Sequence, residues 1–223
     1  MIRAAIFDVD GTLVDTVDLH AEAWQRAFQH FGKEVAFADV RAQIGKGGDQ
    51  LMPVFLSKEE IEERGEEISK WRTELFAKEY MPRVQGFPKV RELFQELLAK
   101  GLRIALASSA IGKELQTYKD RAQIADLIDT ETSKDDAEKS KPHPDIFEAA
   151  LDRLGNLPPE QAIVIGDTPY DIEAAAKAGL QTIAVRCGGF PEETLQGAVA
   201  IYDDPADLLA RLAGSPLISS SRT

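Results

Sequence analysis

Four short segments of this 223-residue chain carry the residue types that do chemistry. Asp8-Val9-Asp10-Gly11-Thr12 follows an apolar run at 4–7, Ser108-Ser109 follows one at 102–107, and Gly166-Asp167-Thr168-Pro169-Tyr170-Asp171 follows one at 162–165. The fourth, Ser140-Lys141-Pro142-His143-Pro144-Asp145, leads into an amphipathic stretch. Short apolar runs bounded by turn residues read as buried strands. In open α/β sheets ligands collect beyond the carboxyl ends of the strands. These segments would therefore deliver carboxylates, hydroxyls and one lysine to a single edge.

The elements that must hold these groups alternate along the chain. Further apolar runs occur at 182–185 and, more weakly, at 198–202, with amphipathic segments between the runs. That alternation predicts a parallel sheet covered by helices. Residues 87–100 place Val90, Leu93, Phe94, Leu97 and Leu98 on one helical face, with Gly101 as a C-terminal stop. Residues 144–154 repeat the device with Ile146, Phe147, Ala150, Leu151 and Leu154, followed by Gly155. The stretch 16–85 breaks the rhythm: it offers no strand, only helical spacing in Leu19, Ala23, Ala27 and Phe31 and again in Ile61, Ile68, Trp71, Leu75 and Phe76. It reads as a helical cap (16–85) inserted into an α/β core (1–15 and 86–213), with hinges near Asp15 and Gly86 and a flexible tail at 214–223.

The four segments, in this order and strand context, resemble the haloacid dehalogenase-like superfamily of phosphohydrolases, in the branch with a helical cap that includes phosphoglycolate phosphatases and β-phosphoglucomutase-type proteins. The resemblance runs from Ile6 to about Leu212. It implies an α/β fold, with a Rossmann-like parallel sheet core, helices on both faces and an inserted α-helical cap. It also implies a magnesium-dependent phosphatase that hydrolyses a small phosphorylated metabolite through an aspartyl-phosphate. By that resemblance Asp8 is the nucleophile and Asp10 the general acid and base, a contribution of roughly 10²- to 10⁴-fold. Ser108 binds a phosphate oxygen and Lys141 holds phosphate and nucleophile. Asp8, the main-chain carbonyl of Asp10, and Asp167 match the Mg²⁺ ligands, because an anion attacking a phosphate dianion needs a hard cation with oxygen ligands.

Other residues have two readings open. Asp171 either favours the N-terminus of a helix at 172–178 or assists at the metal. Thr12 and Ser109 are secondary candidates for orienting the loops, while His20, in a DT-x-x-x-H context, is a candidate for positioning Asp10. Lys46, in the Ile44-Gly45-Lys46-Gly47-Gly48-Asp49 turn, either reaches a second anionic group of the substrate or is an exposed turn lysine. His30 and His143 read as surface residues and Cys187 as packing. The alternative reaction is a sugar-phosphate mutase, and the alternative outside enzymes is a metabolite-binding module.

Composition narrows the partners. Lys and Arg total 26 against 38 Asp and Glu, a net charge of −12 that argues against nucleic acid or an anionic membrane. One cysteine excludes an intramolecular disulfide framework. With no signal-peptide pattern at the N-terminus and no apolar run of membrane-span length, a cytoplasmic setting is expected. Oligomeric state is not readable.

Overall fold

The computed structural model describes residues 1–110 and 112–218. Strand β1 (Ala4–Phe7) leads through β2 (Val14–Asp15) into helices α1 (Val17–His30), α2 (Phe37–Arg41), α3 (Gly48–Phe55) and α4 (Lys58–Leu75). The chain returns through one π-turn and one 3₁₀ turn to β3 (Gln85–Gly86). It continues as α5 (Val90–Ala99), β4 (Arg103–Ala107), α6 (Gly112–Ala122), β5 (Thr130–Thr132), α7 (Asp145–Arg153), β6 (Ala162–Gly166), α8 (Pro169–Lys177), β7 (Gln181–Val185), β8 (Ala200–Tyr202) and α9 (Pro205–Ala210).

Six strands form one sheet in the order β5-β4-β1-β6-β7-β8, and every adjacent pair is parallel. The period of two sends alternate residues to opposite faces. Ala5, Phe7, Ile104, Leu106, Ile163 and Ile165 pack with Val90, Leu93, Phe94 and Leu97 of α5 and with Leu208 of α9. Ala4, Ile6, Ala105, Ala107, Ala162 and Val164 face Ile146, Phe147 and Ala150 of α7 and Ala174 and Ala175 of α8. One face is thus built of large side chains and the other mostly of alanines, so α7 and α8 ride on a thin apolar layer.

The helical excursion has an apolar cluster of its own, in which Val17, Ala21, Trp24 and Phe28 of α1 meet Val40, Leu51, Met52 and Ile68. Burying one such large side chain contributes roughly 1.5–3 kcal/mol. A capping box opens α4: Ser57 Oγ accepts the Glu60 N–H at 3.2 Å, and Glu60 returns the contact to the Ser57 N–H at 2.7 Å.

Three elements differ from the sequence reading. Two residues on each side of the excursion pair antiparallel, Val14 with Gly86 and Asp15 with Gln85, a ribbon too short to leave an alternation signal. Strand β5 was hidden because Thr130-Glu131-Thr132 is polar at a sheet edge. The tail expected from Gly214 is corrected in its first part: Leu217 is 2% exposed and belongs to the core cluster. Residues 219–223 lie outside those described.

Candidate active site

The first loop decides where two of the carboxylates point. Asp8 extends β1 by donating its N–H to Ile165 at 2.9 Å. The chain then folds sharply, because the N–H groups of Thr12, Leu13 and Val14 all return to the Val9 carbonyl. Gly11 takes φ +77°, which only glycine adopts freely. A Cβ there would also stand 2.3 Å from Asp167 Oδ2, so the residue is required for space as well. This turn leaves Asp8 facing the sheet edge and Asp10 facing the helical excursion.

On the core side, one carboxylate oxygen from each of Asp8, Asp167 and Asp171 lies within 4.8 Å of the other two, and all three residues are buried. Lys141, itself 2% exposed, contacts Asp8 Oδ1 and lies 2.7 Å from Asp171 Oδ1. Thr12 donates its hydroxyl to Asp167 Oδ1 at 3.0 Å. Asp171 faces two ways. Its Oδ2 accepts the Thr168 N–H at 3.1 Å and the Thr168 hydroxyl at 2.7 Å in the capping box of α8, while its Oδ1 faces Lys141.

Three buried carboxylates against one ammonium leave an excess of negative charge. Burial pushes Asp8 up to about 7, with Asp171 and Asp10 adding to the rise and Lys141 opposing it. Asp167 is raised well above the ordinary range by burial and then by Asp171 and Asp8. For Lys141, burial alone would favour loss of the proton, but Asp171 and Asp8 outweigh it and the ammonium is held more firmly than usual. Asp167 Oδ2 is buried with no hydrogen-bond partner among the described residues. An all-oxygen donor set, an orphaned carboxylate oxygen and surplus negative charge fit a hard divalent cation.

On the other side, Asp10 Oδ1 accepts the Thr16 hydroxyl at 2.7 Å and meets His20 Nε2 at 2.8 Å. Arg72 of α4 contacts His20 Nδ1. A guanidinium can only donate, so Nδ1 is the acceptor and the ring proton sits on Nε2, which donates to Asp10. The imidazole stacks on Phe76 at 4.2 Å, and the Arg72 guanidinium lies 5.4 Å from the Trp24 ring and 5.0 Å from that of Phe76. Burial would push the Asp10 carboxyl up, yet His20, Thr16 and Arg72 together hold it below the usual range. Between the two groups lies a cleft of about 230 Å³ whose walls include Asp8, Asp10, Lys141, His20, Trp24 and Arg72.

The remaining candidates take different places. Ser109 lines the cleft, whereas Ser108 is fully buried beside it and accepts the Ala110 N–H at 3.0 Å. Lys46 reaches the cleft wall, but its ammonium donates to Gln43 Oε1 at 2.6 Å and lies over the Tyr170 ring. Cys187 donates its thiol to the Gly11 carbonyl at 3.2 Å, and burial pushes that thiol far up. Arg72, Trp24 and Glu114 line the cleft without having been singled out by sequence. The spacing of Arg72 and Phe76, one helical turn apart, is the signal that could have marked the first.

The sequence pattern of the haloacid dehalogenase-like hydrolases matches residues 5–185, and with this site at the sheet edge the chain belongs to that family. Within it the chain is a phosphohydrolase, as its similarities indicate. It is 30% identical over 182 residues to the phosphorylated carbohydrates phosphatase of Thermotoga maritima, covering 82% of this chain and 84% of that one. It is 28% identical over 213 residues to the phosphoglycolate phosphatase of Aquifex aeolicus, covering 93% and 95%. The crystal structure of a hydrolase from Pseudomonas syringae superposes with a TM-score of 0.83 at 26% identity, over 95% of this chain and 98% of that one. Among the described residues no helix is long and apolar enough to cross a membrane.

Proposed function

We propose that this chain is a magnesium-dependent phosphatase that hydrolyses a small phosphorylated metabolite through a covalent phosphoryl group on Asp8, in a cytoplasmic setting. In the first half-reaction an Asp8 oxygen forms a bond to phosphorus as the bond to the leaving oxygen breaks, and Asp10 supplies that oxygen with a proton. In the second half, Asp10 takes a proton from the attacking water, the Asp8–phosphorus bond breaks, and orthophosphate leaves. His20 and Thr16 keep the Asp10 carboxyl aimed at the cleft. A phosphate dianion beside it shifts that carboxyl upward, toward the protonated form the first half needs.

Lys141 is the cation that holds phosphoryl oxygens against Asp8, and the Ser108 hydroxyl, accepting from Ala110, keeps its own proton to donate. Asp8, the Asp10 main-chain carbonyl and Asp167 would hold a magnesium ion with Asp171 beside them, and the ion supplies neutralisation of charge between nucleophile and phosphate. The helical excursion closes over the cleft and keeps bulk water out.

One observation carries this reading: Asp8 sits where Lys141 and two further buried carboxylates converge, on the same cleft as a hydrogen-bonded Asp10. Release of phosphate from p-nitrophenyl phosphate should require magnesium and disappear in Asp8→Asn, a loss of roughly 10⁴-fold or more. Turnover that survives both chelation and the substitution contradicts the covalent route. With glucose 1-phosphates and a bisphosphate primer, orthophosphate is the expected product, whereas accumulation of an isomeric sugar phosphate would make the chain a mutase.

A further inference from the structure

The glycine-rich turn at 44–49 contributes more than flexibility. Gly47 has φ −72° and ψ 163°, a conformation open to any residue, so backbone freedom does not explain it. Space does: a Cβ on Gly47 would stand 2.0 Å from Ser140 Oγ and 2.4 Å from Ser140 Cβ. Two residues on, Asp49 Oδ2 accepts the Ser140 main-chain N–H at 3.1 Å. Ser140 directly precedes Lys141 and is buried like it. Gly45, at φ +104°, fits in the same way against Thr168, the residue that shares the α8 capping box with Asp171. A second set of contacts repeats the arrangement, since Arg41 donates to the carbonyls of Gly188 and Gly189, and Gly188 packs on Asp167.

We propose that Asp49 is a positioning residue for Lys141: the helical excursion docks through Gly47 and Asp49 onto Ser140, and this contact holds the Lys141 ammonium between Asp8 and Asp171. The excursion then senses and sets the charge balance of the core site as well as covering it. Without the Asp49 acceptor the Ser140 N–H loses its partner, and the segment opens far enough to let the lysine leave its two carboxylates. The inference rests on the phosphatase reading only for what Lys141 does in turnover.

The test is the rate at which Lys141 is reductively methylated, read by mass spectrometry on the full chain against the exposed Lys58 and Lys78 as internal references. Asp49→Ala should raise labelling of Lys141 by roughly fivefold or more through local opening. Asp49→Asn, whose amide oxygen still accepts, should stay within about twofold of the parent. Gly47→Ala, which pushes Ser140 away without removing a charge, should behave like Asp49→Ala. In turnover Asp49→Ala should lower kcat by roughly tenfold at nearly constant KM. Labelling of Lys141 at the parent rate in Asp49→Ala, or an equal rise in Asp49→Asn, overturns the proposal. If the labelling pattern holds while no variant or parent releases phosphate, the positioning stands and the phosphatase reading falls.

Discussion

Asp8 and Asp10 are two residues apart and belong to two different regions. Asp8 lies among groups delivered by strand ends, in a cluster with more buried negative charge than its one lysine balances, and its carboxyl is pushed up to about 7. Asp10 lies among groups delivered by the helical excursion, where Thr16 and His20 satisfy it and its carboxyl is held down. The core side therefore carries buried negative charge that its one lysine does not balance, whereas on the excursion side Thr16 and His20 hold the single carboxylate Asp10. Fixed backbone positions make the first, and a chain of side chains, Arg72 to His20 to Asp10, makes the second.

If that contrast is right, the core side should fail on the smallest change. A Cβ at Gly188 would lie 1.7 Å from Asp167 Oδ2, so Gly188→Ala must displace that carboxylate. We expect a loss in kcat of about 10²-fold or more together with weaker magnesium binding by calorimetry. Turnover within a few-fold of the parent would show that the cluster is softer than described.

The excursion side should degrade less and separately. Arg72→Met removes the donor to His20 Nδ1 and frees the ring to change tautomer, which should lower kcat by roughly ten- to hundredfold. Magnesium affinity should not change. An equal loss of affinity would mean that the two regions are not separate.

A gentler measurement compares stability with pH in metal-free protein. Asp8 ionises near 3.8 in an unfolded chain and at about 7 here. Between those values the folded protein keeps a proton that the unfolded chain has lost, so this group's contribution is complete below the lower value and fades as pH rises through the upper one. Stability should fall by at most about 1.4 kcal/mol per pH unit for that proton. Denaturant midpoints at pH 5, 6 and 7 should show the decline in the parent and a reduced one in Asp8→Asn. A flat profile in the parent would place the negative charge elsewhere.

The same division explains what could be read from sequence. Asp8 and Asp167 directly follow β1 and β6, and Lys141 lies in the segment that leads into α7; such places are visible as the close of an apolar run or the approach to an amphipathic one. Their convergence follows from the parallel order of the strands, which alternation predicts. The helices at 17–30 and 58–75 were also legible by period, but which helical face meets which is set by packing in the excursion's own cluster. Arg72 meets His20 across 52 positions, and no local pattern announces such a contact. For Lys46 the sequence leaves two readings open, a contact to a second anionic group of the substrate or an exposed turn lysine, and its glycine neighbours do not decide between them. Gly47 and Gly45 answer to Ser140 and Thr168. Asp171 could not be decided because its two oxygens do two different things.

The two faces of the sheet also divide responsibility for tolerance to change. Behind α5 large side chains can shift to absorb an altered neighbour. Behind α7 and α8 the alanine layer has no such slack, and these are the helices that begin just after Lys141 and carry Asp171 in the first turn. An added methyl at Ala105 or Ala174 would lift a helix start and with it a charged group, with nothing in the cleft having been touched. Damage to turnover from so remote a place would look like an unexplained hit in a random mutant library, and its address would be the thin side of the sheet.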